Sequence, residues 1–145
     1  MFLIFLLTLP IFADSTIQDT IYFHTSVTCN VLHKPVYHFE ITFQEQDMNK
    51  EDTINRVQGT VLSGGVKNVV TSGFLENGDE DVNYSIYAKI RHDCTDETEE
   101  IIKTVYVTGQ CKVGVVEVCY IYLAINLDGS IVTVHEVDQE PIDDY

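Results

Sequence analysis

Three consecutive residues, His92, Asp93 and Cys94, are the part of this chain whose types could do chemistry. An imidazole beside a carboxylate and a sulfur is the raw material of a nucleophilic site, in which the imidazole takes the thiol proton and the acid orients the ring. That chemistry needs a free thiolate within hydrogen-bond reach of the base. The chain has four cysteines, Cys29, Cys94, Cys111 and Cys119, in 145 residues that open on a leader-like segment, and this usage points to two disulfides. Cys94 is therefore expected to be oxidised, which leaves the His-Asp pair without a nucleophile. His92 and Asp93 are expected instead to cap a strand end and to bond backbone amides of the loop that follows. Four cysteines allow three pairings, and the absence of a CxxC pair argues against zinc.

Two acidic runs offer hard oxygens to calcium: Glu76 with Asp79, Glu80 and Asp81, and Asp93 with Asp96, Glu97 and Glu99. Neither follows the twelve-residue pattern of an EF-hand, and a solvated acidic loop is the plainer reading. No metal and no other cofactor is expected. Asn83-Tyr84-Ser85 is an N-glycosylation sequon whose asparagine falls on the outer face of its strand.

The element that must position these groups is the strand they end. Val82, Tyr84, Ile86, Ala88 and Ile90 share one face and Asn83, Ser85, Lys89 and Arg91 the other, the period of a strand with one buried side. The same alternation runs through Ile21, Phe23, Thr25, Val27 and Cys29, and through Tyr37, Phe39, Ile41 and Phe43. Residues 44–53 read as a polar loop with a short helical turn, and 54–62 as a third strand. Ser63-Gly64-Gly65 is a turn, since glycine takes positive φ without steric cost. A short strand interrupted at Ser72-Gly73 is expected over 66–75, then an acidic turn over 76–81. Past the acidic loop 95–100, neither face of residues 101–108 is cleanly polar, which predicts a central strand. The run 115–127 is too long for one regular strand and predicts an irregular start before Tyr120. Asp128-Gly129 predicts a hairpin, with Ile131, Thr133, His135 and Val137 on the returning strand.

Seven to eight strands at short spacing, with no sustained helical period, predict an all-β fold of two packed sheets. An immunoglobulin domain would normally bury a tryptophan against its disulfide, and this chain has none. Residues 1–13 read as a secretory signal peptide, 14–138 as one β-sandwich domain and 139–145 as an acidic C-terminal tail. The apolar run is shorter than a membrane span, so no stable membrane insertion is expected. A net charge of −15 is repelled by phosphate backbones, which argues against nucleic acid. The protein is expected to be secreted and extracellular.

In order along the chain, several of these features resemble the transthyretin-like proteins of nematodes. They are Val27-Thr28-Cys29 with the Lys34-Pro35 turn and the strand 36–43; Ser63-Gly64-Gly65; Ile90-Arg91-His92-Asp93-Cys94, like the family's Tyr-His-Asp-Cys strand end; and Ala124-Ile125-Asn126-Leu127 before the last hairpin. The chain departs from the family at Arg91, where an aromatic is usual, at Gly64-Gly65, where an Asn-Gly turn is followed by a buried Phe, and in its greater acidity. It resembles a divergent member. The resemblance implies an eight-stranded, two-sheet Greek-key β-sandwich of transthyretin (prealbumin) type, secreted and without enzymatic activity. Its topology implies that Cys29 pairs with Cys94 at one pole and Cys111 with Cys119 at the other. The transthyretin fold also carries hydroxyisourate hydrolases, which depend on a C-terminal Tyr-Arg-Gly-Ser motif; this chain ends Pro141-Ile142-Asp143-Asp144-Tyr145, so that activity is not expected.

The function expected is a binding or signalling module that acts by protein–protein contacts on an extracellular protein or cell-surface receptor with a basic face. The alternative is a carrier of a small hydrophobic ligand at a subunit interface. A calcium-dependent adhesin ranks below both.

Overall fold

Alternating apolar and polar side chains make a strand stable when one face can be covered, and the core of this protein is where two such faces meet. The computed structural model describes residues 18–46, 50–76, 82–97, 99–112, 114, 116–129 and 132–141. Its strands are β1 (Gln18–Cys29), β2 (Val36–Gln46), β3 (Glu51–Leu62), β4 (Gly65–Glu76), β5 (Ile86–His92), β6 (Ile101–Thr108), β7 (Val116–Asn126) and β8 (Val132–Pro141). They form two four-stranded sheets in the orders β4-β1-β7-β8 and β3-β2-β5-β6, and no helix occurs among the described residues. All pairs are antiparallel except β1 with β7, which run parallel from Thr20 opposite Val118 to Thr28 opposite Asn126.

The inward residues are those the alternation selected. Ile21, Phe23, Val27 and Cys29 of β1 and Tyr37, Phe39, Ile41 and Phe43 of β2 are buried, and the Phe23 and Phe43 rings stack across the sheets at 3.8 Å. Ile86, Ala88 and Ile90 of β5 and Ile121, Leu123 and Ile125 of β7 complete the layer. Each large side chain of this kind contributes roughly 1.5–3 kcal/mol by leaving water.

Several expected boundaries move. The strand β2 continues to Gln46, past the start of the expected loop at 44, because Gln44 and Glu45 keep backbone partners on both sides in β3 and β5. Polar side chains do not stop a strand whose neighbours still satisfy its backbone. The ladder shifts register by a bulge at Phe43/Gln44. Residues 47–49 of the expected helical turn lie outside the described residues, as do the signal segment 1–13 and positions 77–81 of the acidic turn.

The expected break at Ser72-Gly73 is absent, and β4 runs unbroken along β1. Gly73 stands where the two sheets touch: a Cβ there would lie 2.1 Å from the Ile54 carbonyl oxygen of β3. The glycine serves that close approach and not an interruption. The strand expected to be central, β6, is an edge of its sheet, with Ile102 and Tyr106 exposed. Val82, expected in the core, is 72 % exposed, because regular pairing begins only at Ile86 and the preceding chain makes a single bridge, Asn83 to Lys112. Residues 139–141 of the expected acidic tail belong to β8, which stays paired with β7 as far as Pro141; residues 142–145 are outside the described part. An irregular start to β7 is present as a register shift between Val116 and Val118.

Candidate functional site

A β-strand turns alternate residues outward, so each sheet of a sandwich presents a second face whose chemistry is not needed for folding. On β1 the outward residues are Thr20, Tyr22, His24, Ser26 and Thr28, and the parallel register places Tyr22 beside Tyr120 and His24 beside Tyr122. The rings use that proximity. Tyr22 and Tyr120 stack with centroids 5.4 Å apart, His24 stacks on Tyr122 at 4.8 Å, and His24 meets Tyr120 obliquely at 6.3 Å. On the other side of β1 the edge strand β4 places Phe74 opposite Thr20, Val70 opposite His24 and Val66 opposite Thr28. These three are 59 %, 62 % and 64 % exposed. A shallow depression of about 240 Å³ lies among His24, Ser26, Asn68, Val70 and Tyr122. On the β8 side Asp138 is opposite Tyr120 and exposed. No lysine or arginine stands among the outward residues of β4, β1 and β7.

This aromatic row is what reading the sequence in order missed. Its signal is two spaced pairs, Tyr22-x-His24 and Tyr120-x-Tyr122, which become one feature only through a parallel pairing between strands far apart in sequence.

The residues that sequence chemistry singled out lie at the poles. Cys29 is bonded to Cys94 and Cys111 to Cys119, the two pairs that the family's topology implied, at opposite ends of β1. All four sulfurs are in disulfides, so no thiol stands beside His92. Cys29, Cys94 and Asp128 come within ligand spacing of one another, but both sulfurs are spent on the S–S bond, which leaves no thiolate for a metal.

His92 and Asp93 do different things. His92 continues the inward face of β5 and is buried, and its Nδ1 accepts the Cys94 amide at 3.2 Å. Burial holds its pKa below the usual histidine value; Lys103 adds to this, while Asp93 and Asp128 oppose it. Asp93 was expected to bond the loop that follows, but its side chain reaches back instead. Its Oδ1 accepts the His38 amide of β2 at 2.7 Å and its Oδ2 accepts Lys34 Nζ at 2.6 Å. Burial alone would raise the Asp93 pKa, but the hydrogen bonds from Lys34 and the His38 amide outweigh it and hold the carboxyl below its ordinary range. Asp93 thus ties the Cys94 end of β5 to the start of β2, while His92 holds the Cys94 amide locally.

At the other pole the buried carboxylate of Asp19 accepts the Tyr84 hydroxyl at 2.5 Å and the Gly114 amide at 2.7 Å through Oδ2, next to the Cys111–Cys119 bond. Asn83 is half-buried and lies before β5, so the sequon is in irregular backbone and not inside the strand. Of the two acidic runs, Asp79, Glu80 and Asp81 are outside the described residues, and in the second Asp93 is already engaged by Lys34.

No family model matches this chain, and no curated protein sequence matches it. Among solved structures, a Bacteroides ovatus protein to which cell adhesion is ascribed superposes with a TM-score of 0.38 at 9 % identity. The superposition takes in 88 % of this chain and 46 % of the other, so this chain spans about half of that protein's length. A likeness at this level carries no argument about fold or role. The protein is all-β, with two four-stranded sheets and two disulfides.

Proposed function

We propose that this protein is a secreted, non-catalytic binding module, a divergent transthyretin-like β-sandwich, and that it docks a partner protein on the outward face of the β4-β1-β7-β8 sheet. The observation that carries this reading is the aromatic and apolar character of that face. Tyr22, Tyr120 and Tyr122 with His24 form its centre, and Val66, Val70 and Phe74 stand exposed along one border. Solvent-facing apolar groups gathered on one surface mark interaction sites, and tyrosine is among the residues enriched there.

The partner is an extracellular protein or receptor with a basic surface. Opposite charge draws such a partner to a chain of net charge −15, and tyrosine faces together with Asp138 accept cations next to apolar contacts. Support for the transthyretin type comes from the eight strands, their division into two sheets of four, and a disulfide at each pole. The disulfides and the leader-like first residues support secretion.

A second reading has its own observation. The depression beside His24, Asn68, Val70 and Tyr122 is open, and a second copy facing it would close a cavity for a small apolar molecule. Sizing of the mature protein separates the two. A carrier runs as an oligomer and melts higher with an apolar ligand, whereas a docking module does neither.

The docking reading is tested by partner capture from extracellular fluid with wild-type protein, with Val70→Ser/Phe74→Ser and with Lys89→Gln. A basic partner retained by wild type and Lys89→Gln but lost from the double variant is the expected result. Retention by all three overturns the assignment of this face.

A further inference from the structure

The outward face of the other sheet carries a different pattern. Across β3, β2, β5 and β6 the registers align Arg56, Thr42, Lys89 and Thr104 in one row and Gln58, Glu40, Arg91 and Ile102 in the next. On the other side of the first row stand Gln44, Tyr87 and Tyr106, the two tyrosines edge to face at 5.3 Å. Arg56 and Lys89 are exposed, and neither is in an ion pair with a described carboxylate. Arg91 has only an exposed contact of 3.6 Å with Glu100, a weak pairing in water. Thr42 between Arg56 and Lys89 is 8 % exposed, so solvent meets the two cations beside it and not its hydroxyl. Beside the second row a depression of about 350 Å³ is lined by His38, Glu40, Gln58, Arg91 and Glu100.

We propose that this face is a second binding site, independent of the first, for an extended acidic peptide segment whose carboxylates meet Arg56, Lys89 and Arg91 while apolar side chains at its β6 end rest on Ile102 and Tyr106. Strands lie about 4.8 Å apart, so the backbones of Arg56 and Lys89 are about 10 Å apart and span several residues of an extended peptide. Arg91 takes a carboxylate in the two-pronged geometry that a guanidinium offers. The mixture of groups selects this ligand over a uniform polyanion. Glu40 and Glu100 border Arg91 and interrupt the positive surface, and Ile102 and Tyr106 are exposed where a polysulfate or polyphosphate has nothing apolar to place.

The test uses the full mature protein and a fluorescent peptide of alternating Glu with Leu and Tyr, read by anisotropy at low and at physiological salt. An analogue with Gln in place of Glu and a heparin-like sulfated polysaccharide serve as competitors. The expected result is binding of the Glu peptide that weakens with salt, at least tenfold weaker binding of the Gln analogue, and at least tenfold loss in Arg56→Gln/Lys89→Gln with an unchanged melting temperature. Val70→Ser/Phe74→Ser, on the opposite sheet, binds as wild type, so this result is read separately from the docking test above. Equal binding of the two peptides, preference for the polysulfate, or an unaffected double variant overturns the proposal.

Discussion

On the outward side of β1 and β7, Tyr22 lies against Tyr120 and His24 against Tyr122; at the equivalent positions of β2 and β5 stand Glu40 and Thr42 with Arg91 and Lys89. Both pairs of strands bury their inward residues in the same core, so folding does not explain the contrast. The inward half of each strand is constrained by packing, and the outward half is free to take on a recognition chemistry. In this protein one outward half is apolar, aromatic and without lysine or arginine, while the other holds three of the eight basic residues in a protein of net charge −15, namely Arg56, Lys89 and Arg91. The two opposite surfaces thus differ in both charge and apolar character.

Several experiments separate the shared frame from the two faces. Removing the Cys29–Cys94 bond by Cys29→Ser/Cys94→Ser is expected to lower stability by about 2–5 kcal/mol, and it weakens both surfaces at once because it loosens the long loop between β1 and the end of β5. Chemical denaturation measures it, and an unchanged midpoint would show that packing alone holds that pole. Gly73→Ala forces a methyl onto the Ile54 carbonyl, and a loss of about 1–3 kcal/mol is expected by the same method.

Acid provides a smaller, graded test. His92 has a folded pKa below its unfolded value near 6.5, so the unfolded chain binds the proton first, and stability falls as pH drops through 6.5 toward the folded value. Asp93 is likewise depressed and adds a further loss as pH falls through about 3.8. Melting curves against pH should show both limbs; Asp93→Asn removes the Asp93 contribution to the lower one and deepens the upper, because the carboxylate no longer favours the His92 cation. Val70→Ser/Phe74→Ser should change stability by no more than about 0.5 kcal/mol while abolishing partner capture, because exposed side chains support surface contacts and not the core. A large loss of stability in this variant would break the distinction between frame and face. The smallest effect concerns Asn83, which lies outside regular strand. Protein from a secretory host is expected to shift in mass on glycosidase treatment, and Asn83→Gln should abolish the shift with little change in melting.

The alternating strands were legible in the sequence because inward positions obey a local rule: Ile21 to Cys29 and Tyr37 to Phe43 are buried as their period predicts. The places where local reading failed depend on distant chain. Gly73 looks like a breaker until Ile54 is seen against it, and 101–108 looks central until the sheet order leaves β6 without an outer neighbour. Val82 keeps the period but lies beyond the last paired residue, so a correct pattern gave a wrong depth. The aromatic row was unreadable for the same reason, because its two halves are joined by a long-range parallel pair. The His92-Asp93-Cys94 run was located correctly, but the direction in which Asp93 reaches, toward Lys34 and His38, was set by a neighbour distant in sequence.

The parallel contact between β1 and β7 also sets an order of events during biosynthesis. β1 is central in its sheet, yet one of its two neighbours, β7, follows it only after five intervening strands, and its terminal cysteine waits for Cys94. While the ribosome is still producing residues 30–115, the flank of β1 that β7 will occupy stays unpaired, and long-range closure of this kind is slow. The sheet therefore closes only after every strand from β2 to β6 has been made, which makes yield sensitive to whatever shields a nascent strand in the meantime.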